Sequence, residues 1–197
     1  MRGITMAAGT MALLGLAQPV MAEPERFELD PEHTTVMFTV MHLGYARALG
    51  LFGTVEGSFT YDRDTQELSD VSVTIDTGSV QTFNGPRDEH VRSGDFLSAD
   101  DHPEITFTAT GGEAQSDTSG TVTGDLTLRG ETHPVTLDVT LNKAEEYPFG
   151  HKRFVLGLSL GGEVMRSDWG MTYGVEGGMV GDAVQIVIET EAMRIDD

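Results

Sequence analysis

One segment has the residue spacing of a serine hydrolase. The run Gly157-Leu158-Ser159-Leu160-Gly161 matches G-x-S-x-G, the pattern of a reactive serine on a tight turn between a strand and a helix. That turn needs a helix after the strand, within an alternating α/β fold. Here Gly161-Gly162 follows, and the rest of the chain has the pattern of strands. We therefore interpret Ser159 as an outward strand residue and predict no catalytic residue.

Histidines and carboxylates are the other residues that could do chemistry, because they could bind a metal ion. No histidine lies two or four positions from another, so no local chelate is predicted, and only distant residues could converge on a metal. Asp62-x-Asp64-x-x-Glu67 resembles a calcium loop but lacks its glycine and has hairpin spacing. We predict a turn there and no metal site. The six histidines are His33, His42, His90, His102, His133 and His151.

Two segments combine cations with acids. Either could act as an acid–base pair or bind a charged lipid headgroup. The alternative, which we favour, is that their ion pairs fix a helix and a loop to the rim of the fold. The first segment contains Arg87, Asp88, His90, Arg92 and Asp95, and the second is Arg166-Ser167-Asp168-Trp169.

The composition excludes several classes of function. Asp and Glu number 32 against 12 Lys and Arg, a formal charge of −20. This charge argues against binding to nucleic acid and against docking onto a membrane surface of anionic lipid headgroups. The absence of cysteine excludes disulfides, thiolate metal sites and thiol catalysis. With 39% hydrophobic residues, the 197-residue chain can form a real core, and disorder is not expected.

The first 22 residues have the features of a secretory signal peptide. Arg2 is their one charged residue, and the apolar stretch Met6 to Leu16 is too short to cross a bilayer. Val20-Met21-Ala22 then offers a cleavage site, so we predict a cut before Glu23. The remaining chain, 23–197, is expected to be one soluble, periplasmic domain with no membrane span.

The remaining chain shows the period of half-buried strands, with apolar and polar residues alternating. Eight such segments follow a short lead-in at Phe27-Leu29. They are Val36–Val40, Val55–Phe59, Val71–Ile75, Ile105–Ala109, Val122–Leu128, Val135–Leu141, Phe154–Leu158 and Val184–Ile188.

A single helix is predicted from Asn84 to Gly94. It has Pro86 where a first helical residue belongs, acids in its first turn and Arg92 in its last. Eight strands with local connections predict an all-β fold, an up-and-down barrel or a sandwich, with this helix at one end. One Trp and four Tyr are too few for the aromatic girdles of a membrane barrel, so we favour a barrel with an apolar interior.

An ordered set of motifs resembles the YceI-like family of periplasmic lipid-binding proteins, often called polyisoprenoid-binding. The resemblance covers about residues 26 to 194. Its most characteristic run is Gly124-x-Leu126-Thr127-Leu128-Arg129-Gly130-x-Thr132-x-Pro134-Val135. The other motifs include Phe27-Glu28-Leu29-Asp30, His33-Thr34, His42-Leu43-Gly44, Arg87-Asp88-x-His90-Val91-Arg92, Asp95-Phe96-Leu97, His102-Pro103 and Arg166-Ser167-Asp168-Trp169-Gly170.

The resemblance implies a lipocalin-like, antiparallel, eight-stranded β-barrel that holds a long amphiphilic lipid, with no catalysis and no cofactor. We expect a periplasmic carrier for an isoprenoid-type or acyl chain, such as a quinone or polyprenyl derivative. Two alternatives stay open: an enzyme of the same fold acting on a lipid headgroup, and a non-catalytic interaction module of the envelope. The oligomeric state also stays open, with a homodimer among the options.

The inward apolar residues are the expected ligand contacts. They are Phe38, Val40, Val73, Phe107, Leu126, Leu128, Leu137, Val139, Leu156, Ile186 and Ile188. Small residues at Gly57, Ala109, Gly124 and Gly157 are expected to leave space for the ligand. A polar headgroup would lie near the rim, where the candidates are Arg87, His90, Arg92, Arg166 and Asp168.

Overall fold

The computed structural model describes residues 23–195. Within that range the chain forms twelve strands, one α-helix and two short 3-10 turns, Thr77–Ser79 and Arg166–Trp169. The helix is α1 (Gly85–Arg92). The strands are β1 (Glu25–Leu29), β2 (Thr35–His42), β3 (Ala46–Phe52), β4 (Val55–Tyr61), β5 (Leu68–Asp76), β6 (Val80–Gln81), β7 (Glu104–Ala109), β8 (Glu113–Ser116), β9 (Ser119–Leu128), β10 (Glu131–Glu146), β11 (Phe154–Met165) and β12 (Val180–Arg194).

The sheet closes on itself as an eight-stranded antiparallel barrel. Its strands follow the order β1, β4, β5, β7, β9, β10, β11 and β12, and β12 pairs back to β1. The same edge of β12 also pairs with β2, which is joined in turn to β3 and β6. Strands β1 and β2 thus lie end to end along β12. The predicted all-β barrel is confirmed.

Strand β3 is the longest element that the alternation did not predict. Its residues Ala48, Gly50 and Phe52 pair with inward-facing residues of β2, whereas Leu49 and Leu51 occupy the opposite face. Apolar residues on the outer face obscure the period on which the prediction rests. Gly50 is required because a Cβ there would overlap the ring of Phe38.

Helix α1 begins and ends on local signals. The side chain of Asn84 accepts a hydrogen bond from the backbone N–H of Arg87 at 3.1 Å, which makes Asn84 the N-cap. Pro86 lies in the first turn, where its missing N–H costs nothing. The helix ends at Arg92 with Ser93 as its cap, slightly before the predicted stop at Gly94. It contacts β6 at one end of the barrel, called here the α1 end.

The core is divided into two clusters. The larger one includes Trp169, Val80 and Leu97 near the α1 end. The smaller one is at the opposite end, where Phe27 stacks on Phe59 with ring centroids 5.4 Å apart, over Leu156 and Ala192. The larger cluster extends along the barrel from the α1 end, and the smaller one packs the opposite end.

None of the helices among the described residues is long and apolar enough to cross a membrane. The predicted signal peptide, residues 1–22, lies outside the described residues.

The register of β7 can be tested at Phe107. We expect Phe107→Asp to destabilise the fold by several kcal/mol, because it places a carboxylate in an apolar interior. Thr106→Asp should cost about 0.5 kcal/mol or less, since Thr106 lies between Thr74 and Thr127 across the sheet. Urea denaturation of both variants gives the comparison. Equal losses of unfolding free energy would refute the register. Thr108 is a poorer control, because it pairs with Asp125.

Candidate functional site

An apolar cavity of about 380 Å³ lies inside the barrel. This volume is within the usual range for small-molecule sites, roughly 300 to 1,000 Å³. The eleven residues predicted to contact a ligand all line it: Phe38, Val40, Val73, Phe107, Leu126, Leu128, Leu137, Val139, Leu156, Ile186 and Ile188. Their inward placement agrees with the alternation of each strand, whereas their part in binding stays a prediction.

Strand alternation explains why so many distant residues share one wall. In β12, the side chains of Val184, Ile186 and Ile188 line the cavity, while Val187 is exposed on the outer face. Neighbouring strands repeat this arrangement in register, as Ile186 pairs with Phe38 and Ile188 with Leu160. The wall is therefore a continuous layer of aliphatic and aromatic side chains.

The two ends of the cavity differ. Val91 of α1, with Phe96, Leu97 and Met171, lines the α1 end. At the opposite end the cavity reaches the β8–β9 hairpin, whose residues Glu113–Ser116 are all exposed. The α1 end is thus covered by packed apolar residues, and the hairpin end is bordered by residues in contact with solvent.

Three of the five predicted rim residues make local contacts outside the cavity. Arg87 donates to the hydroxyl and the carbonyl oxygen of Thr82, at 2.9 and 2.5 Å. Arg92 donates to the carbonyl of Val80 at 3.4 Å, and Nε2 of His90 lies 2.9 Å from a carboxylate oxygen of Asp95. These contacts fix α1 and its exit. Only the contact between His90 and Asp95 has the ion-pair geometry that was predicted, whereas Arg87 and Arg92 bind uncharged groups.

Asp88 takes part in the same network. Its carboxylate accepts from the backbone N–H and the hydroxyl of Thr82. The hydroxyl hydrogen bond is the main cause of the lowered pKa of Asp88, with Arg92 and Arg87 contributing.

Arg166 is the one predicted rim residue that lines the cavity, and its side chain is 3% exposed. Its guanidinium donates to the carbonyls of Gly181, Met171, Tyr173 and Val180, at 2.8, 2.5, 2.8 and 2.9 Å. Loss of hydration lowers the pKa of this group, but arginine stays charged at any ordinary pH.

Asp168, the fifth predicted rim residue, is exposed and does not line the cavity. The enzyme alternative requires two of His90, Arg92 and Asp168 to converge in the pocket. In the described part of the chain, none of these three side chains lines the cavity.

The prediction that small residues make room for a ligand is wrong. Gly57, Ala109, Gly124 and Gly157 do not line the cavity. A Cβ on Gly124 would lie 2.5 Å from the carbonyl oxygen of Thr108 and 2.6 Å from Cζ of Phe107. The ring of Phe107 already fills the space that the missing side chain leaves, so this space is not part of the cavity.

Ser159 is a strand residue, as predicted. It lies within β11 and pairs with Thr140 and Glu189 on the neighbouring strands. Its hydroxyl donates to the Glu189 carboxylate at 2.6 Å and accepts from the Asn142 amide at 2.8 Å. No histidine is placed to activate it among these partners.

One cluster of possible ligand atoms was not predicted. Asp30, His33 and Glu191 bring a carboxylate, an imidazole and a second carboxylate within 4.8 Å of one another. Nδ1 of His33 lies 2.7 Å from Asp30, and this hydrogen bond raises the pKa of His33. Burial opposes ionisation of Asp30, yet its hydrogen bonds with His33 and Glu32 hold its pKa below the ordinary value. The spacing Asp-x-x-His was the available sequence signal, but Glu191 comes from the far end of the chain.

Comparisons with known proteins agree with this fold. The YceI-like domain family matches residues 27–192. A UPF0312 protein of Pectobacterium carotovorum is 34% identical over 185 residues, which cover 93% of each chain.

Two solved structures share the architecture. BcnA of Burkholderia cenocepacia superposes with a TM-score of 0.74 at 20% identity, covering 84% of this chain and 99% of its own. A polyisoprenoid binding domain from Saccharophagus degradans, implicated in plant cell wall breakdown, gives a TM-score of 0.63 at 14% identity, covering 86% of this chain and 98% of its own.

Proposed function

The chain belongs to the YceI-like domain family, and from that premise we propose that it is a non-catalytic lipid-binding protein. Its ligand is a long amphiphilic lipid held inside the barrel. The role that suits such a protein is a periplasmic carrier or reservoir for an isoprenoid-type chain, such as a quinone or polyprenyl derivative, or for an acyl chain.

The apolar cavity is the observation that carries this proposal. Each methylene moved from water into such a space contributes about 0.8 kcal/mol, so ten contribute roughly 8 kcal/mol. Ordering a flexible chain and losing its free motion oppose part of this gain. A long chain is therefore needed for tight binding by apolar contact alone, and a small polar metabolite gains little.

The fold comparison supports the same ligand class. The Saccharophagus degradans neighbour is described as a polyisoprenoid binding domain, and its barrel has the architecture found here. Branched isoprenoid and straight acyl chains both suit a wall made of Val, Leu, Ile and Phe side chains. Both therefore belong among the ligands to be tested.

Protein purified from a bacterial host should carry about one long-chain lipid per molecule, because the cavity offers one elongated apolar space. Organic extraction followed by mass spectrometry measures this ratio. Val139→Phe should lower it strongly, since Val139 borders the cavity and a phenyl ring there occupies ligand space. Val139 suits this test better than Gly124, where a larger side chain would collide with the barrel wall.

Thr140→Phe is the matched control for that variant. Thr140 is the next residue of β10 and is exposed on the outer face, so the lipid ratio should stay at the wild-type value. Melting temperatures of both variants establish that they are folded. A lipid-free wild-type protein that also fails to bind added quinones, polyprenols and fatty acids would contradict the proposal.

The periplasmic role requires export, and we propose cleavage before Glu23. The short apolar segment and the Val20-Met21-Ala22 site motivate it. N-terminal sequencing of the protein recovered from the periplasm should return Glu23 as the first residue. Recovery of a chain that begins at Met1 would show that the segment is retained.

A further inference from the structure

The charged residues that line the cavity are separated along its axis. Among the described residues of the lining, Arg166 is the one cation, and it lies at the α1 end. The acids of the lining are Glu113 and Asp117, which belong to the β8–β9 hairpin at the opposite end. Both acids are exposed. Between these ends the wall is mainly apolar.

The positive charge of Arg166 is not neutralised by a close ion pair. All four of its hydrogen-bond acceptors are backbone carbonyls. Among the described residues, no carboxylate forms a salt bridge with it. Asp182 acts on it from a greater distance, and that carboxylate already accepts from the backbone N–H and the hydroxyl of Ser167, at 2.9 and 2.7 Å.

The guanidinium also keeps hydrogen-bonding capacity. It has five N–H groups, and the four bonds to carbonyls leave one N–H, on Nη1. A hydrogen bond from a charged donor to an anion is about twice as strong as one between two neutral groups. The Arg166 guanidinium is such a donor, and it is shielded from water.

Shielding decides which of the lining charges dominates. A charge next to apolar groups acts over several ångströms with little attenuation, whereas exposed charges are screened by water and salt. The field inside the cavity is thus set more by the buried Arg166 than by Glu113 and Asp117, even though the protein as a whole is strongly acidic.

We propose that the bound lipid has an anionic end group, a carboxylate or a phosphate, that lies at the α1 end beside Arg166, with its tail directed toward the β8–β9 hairpin. This inference rests on the proposed function and specifies its ligand class. A neutral alcohol of the same length gains the apolar contacts but not the interaction of its end group with the guanidinium charge.

The test compares three ligands with the same saturated chain, palmitate, hexadecyl phosphate and hexadecanol, on delipidated full-length protein at about pH 8, where the acid is ionised. Calorimetric titration should give an affinity at least about tenfold higher for one or both anions than for the alcohol. Preference for palmitate indicates a fatty acid, and preference for hexadecyl phosphate indicates a phosphorylated lipid. An alcohol that binds as tightly as both anions would overturn the inference and leave the proposed function intact. Failure of all three ligands to bind would overturn the inference, and it would overturn the proposed function as well if added quinones and polyprenols also fail to bind.

Two variants locate the preference. Arg166→Gln should reduce the ratio of anion to alcohol affinity to about one, while Arg129→Gln should keep the wild-type ratio. Arg129 is the matched control because it also donates to backbone carbonyls at the α1 end, those of Gly94 and Phe96, but does not line the cavity. A folded Arg166→Gln protein that keeps the preference contradicts the assignment. If that variant does not fold, the wild-type ratio alone decides.

Discussion

Pairing of β12 with three other strands holds the wall of this barrel closed. One edge of β12 bonds to β11, and the other bonds to β1 near its end and to β2 along most of its length. The gap between β1 and β2 is bridged by backbone bonds from Asp30 N–H to the Glu191 carbonyl and from Glu191 N–H to the His33 carbonyl. The hydroxyls of Thr34 and Thr190, 2.6 Å apart, add a side-chain contact. The interior is shielded from water only while these pairings persist.

A closed wall of this size explains both the cavity and its polarity. Eight strands enclose an interior that side chains fill or that holds one small ligand, and here an apolar cavity of about 380 Å³ remains between the inward side chains. Arg166 is the one cation in the described lining, and it lies at the α1 end. Its hydrogen bonds there tie the chain around Met171 and Val180 to the barrel. The same arginine therefore stabilises the end of the barrel and gives the apolar space a charged end.

Much of this fold could be predicted from alternation, and its failures have physical causes. Strand β3 was missed because two of its three inward positions are the small residues Ala48 and Gly50. The second of these leaves room for the ring of Phe38. All eleven inward residues that were predicted line the cavity, since one period fixes a whole strand face. Further lining residues, such as Phe52 of β3, were not among them. The role of Gly124 could not be predicted from the sequence, because only the packed structure shows that the ring of Phe107 fills the position beside it.

Charged residues were harder to assign than apolar ones. The sequence gives the position of an arginine but not its acceptors, so Arg87, Arg92 and Arg166 looked equivalent as rim cations. Folding separates them, since the first two bond to residues outside the cavity and only Arg166 is buried against it. The cluster of Asp30, His33 and Glu191 depends in the same way on strand pairing across almost the whole chain.

A crystal structure of the protein as purified, with its native lipid retained, would show whether the barrel holds a lipid chain. We expect continuous elongated density along the barrel axis, from beside Met171 at the α1 end toward Gly120 at the hairpin end, both of which line the cavity. A barrel whose inward side chains meet across the axis, with no density between them and no space for a chain, would contradict this expectation.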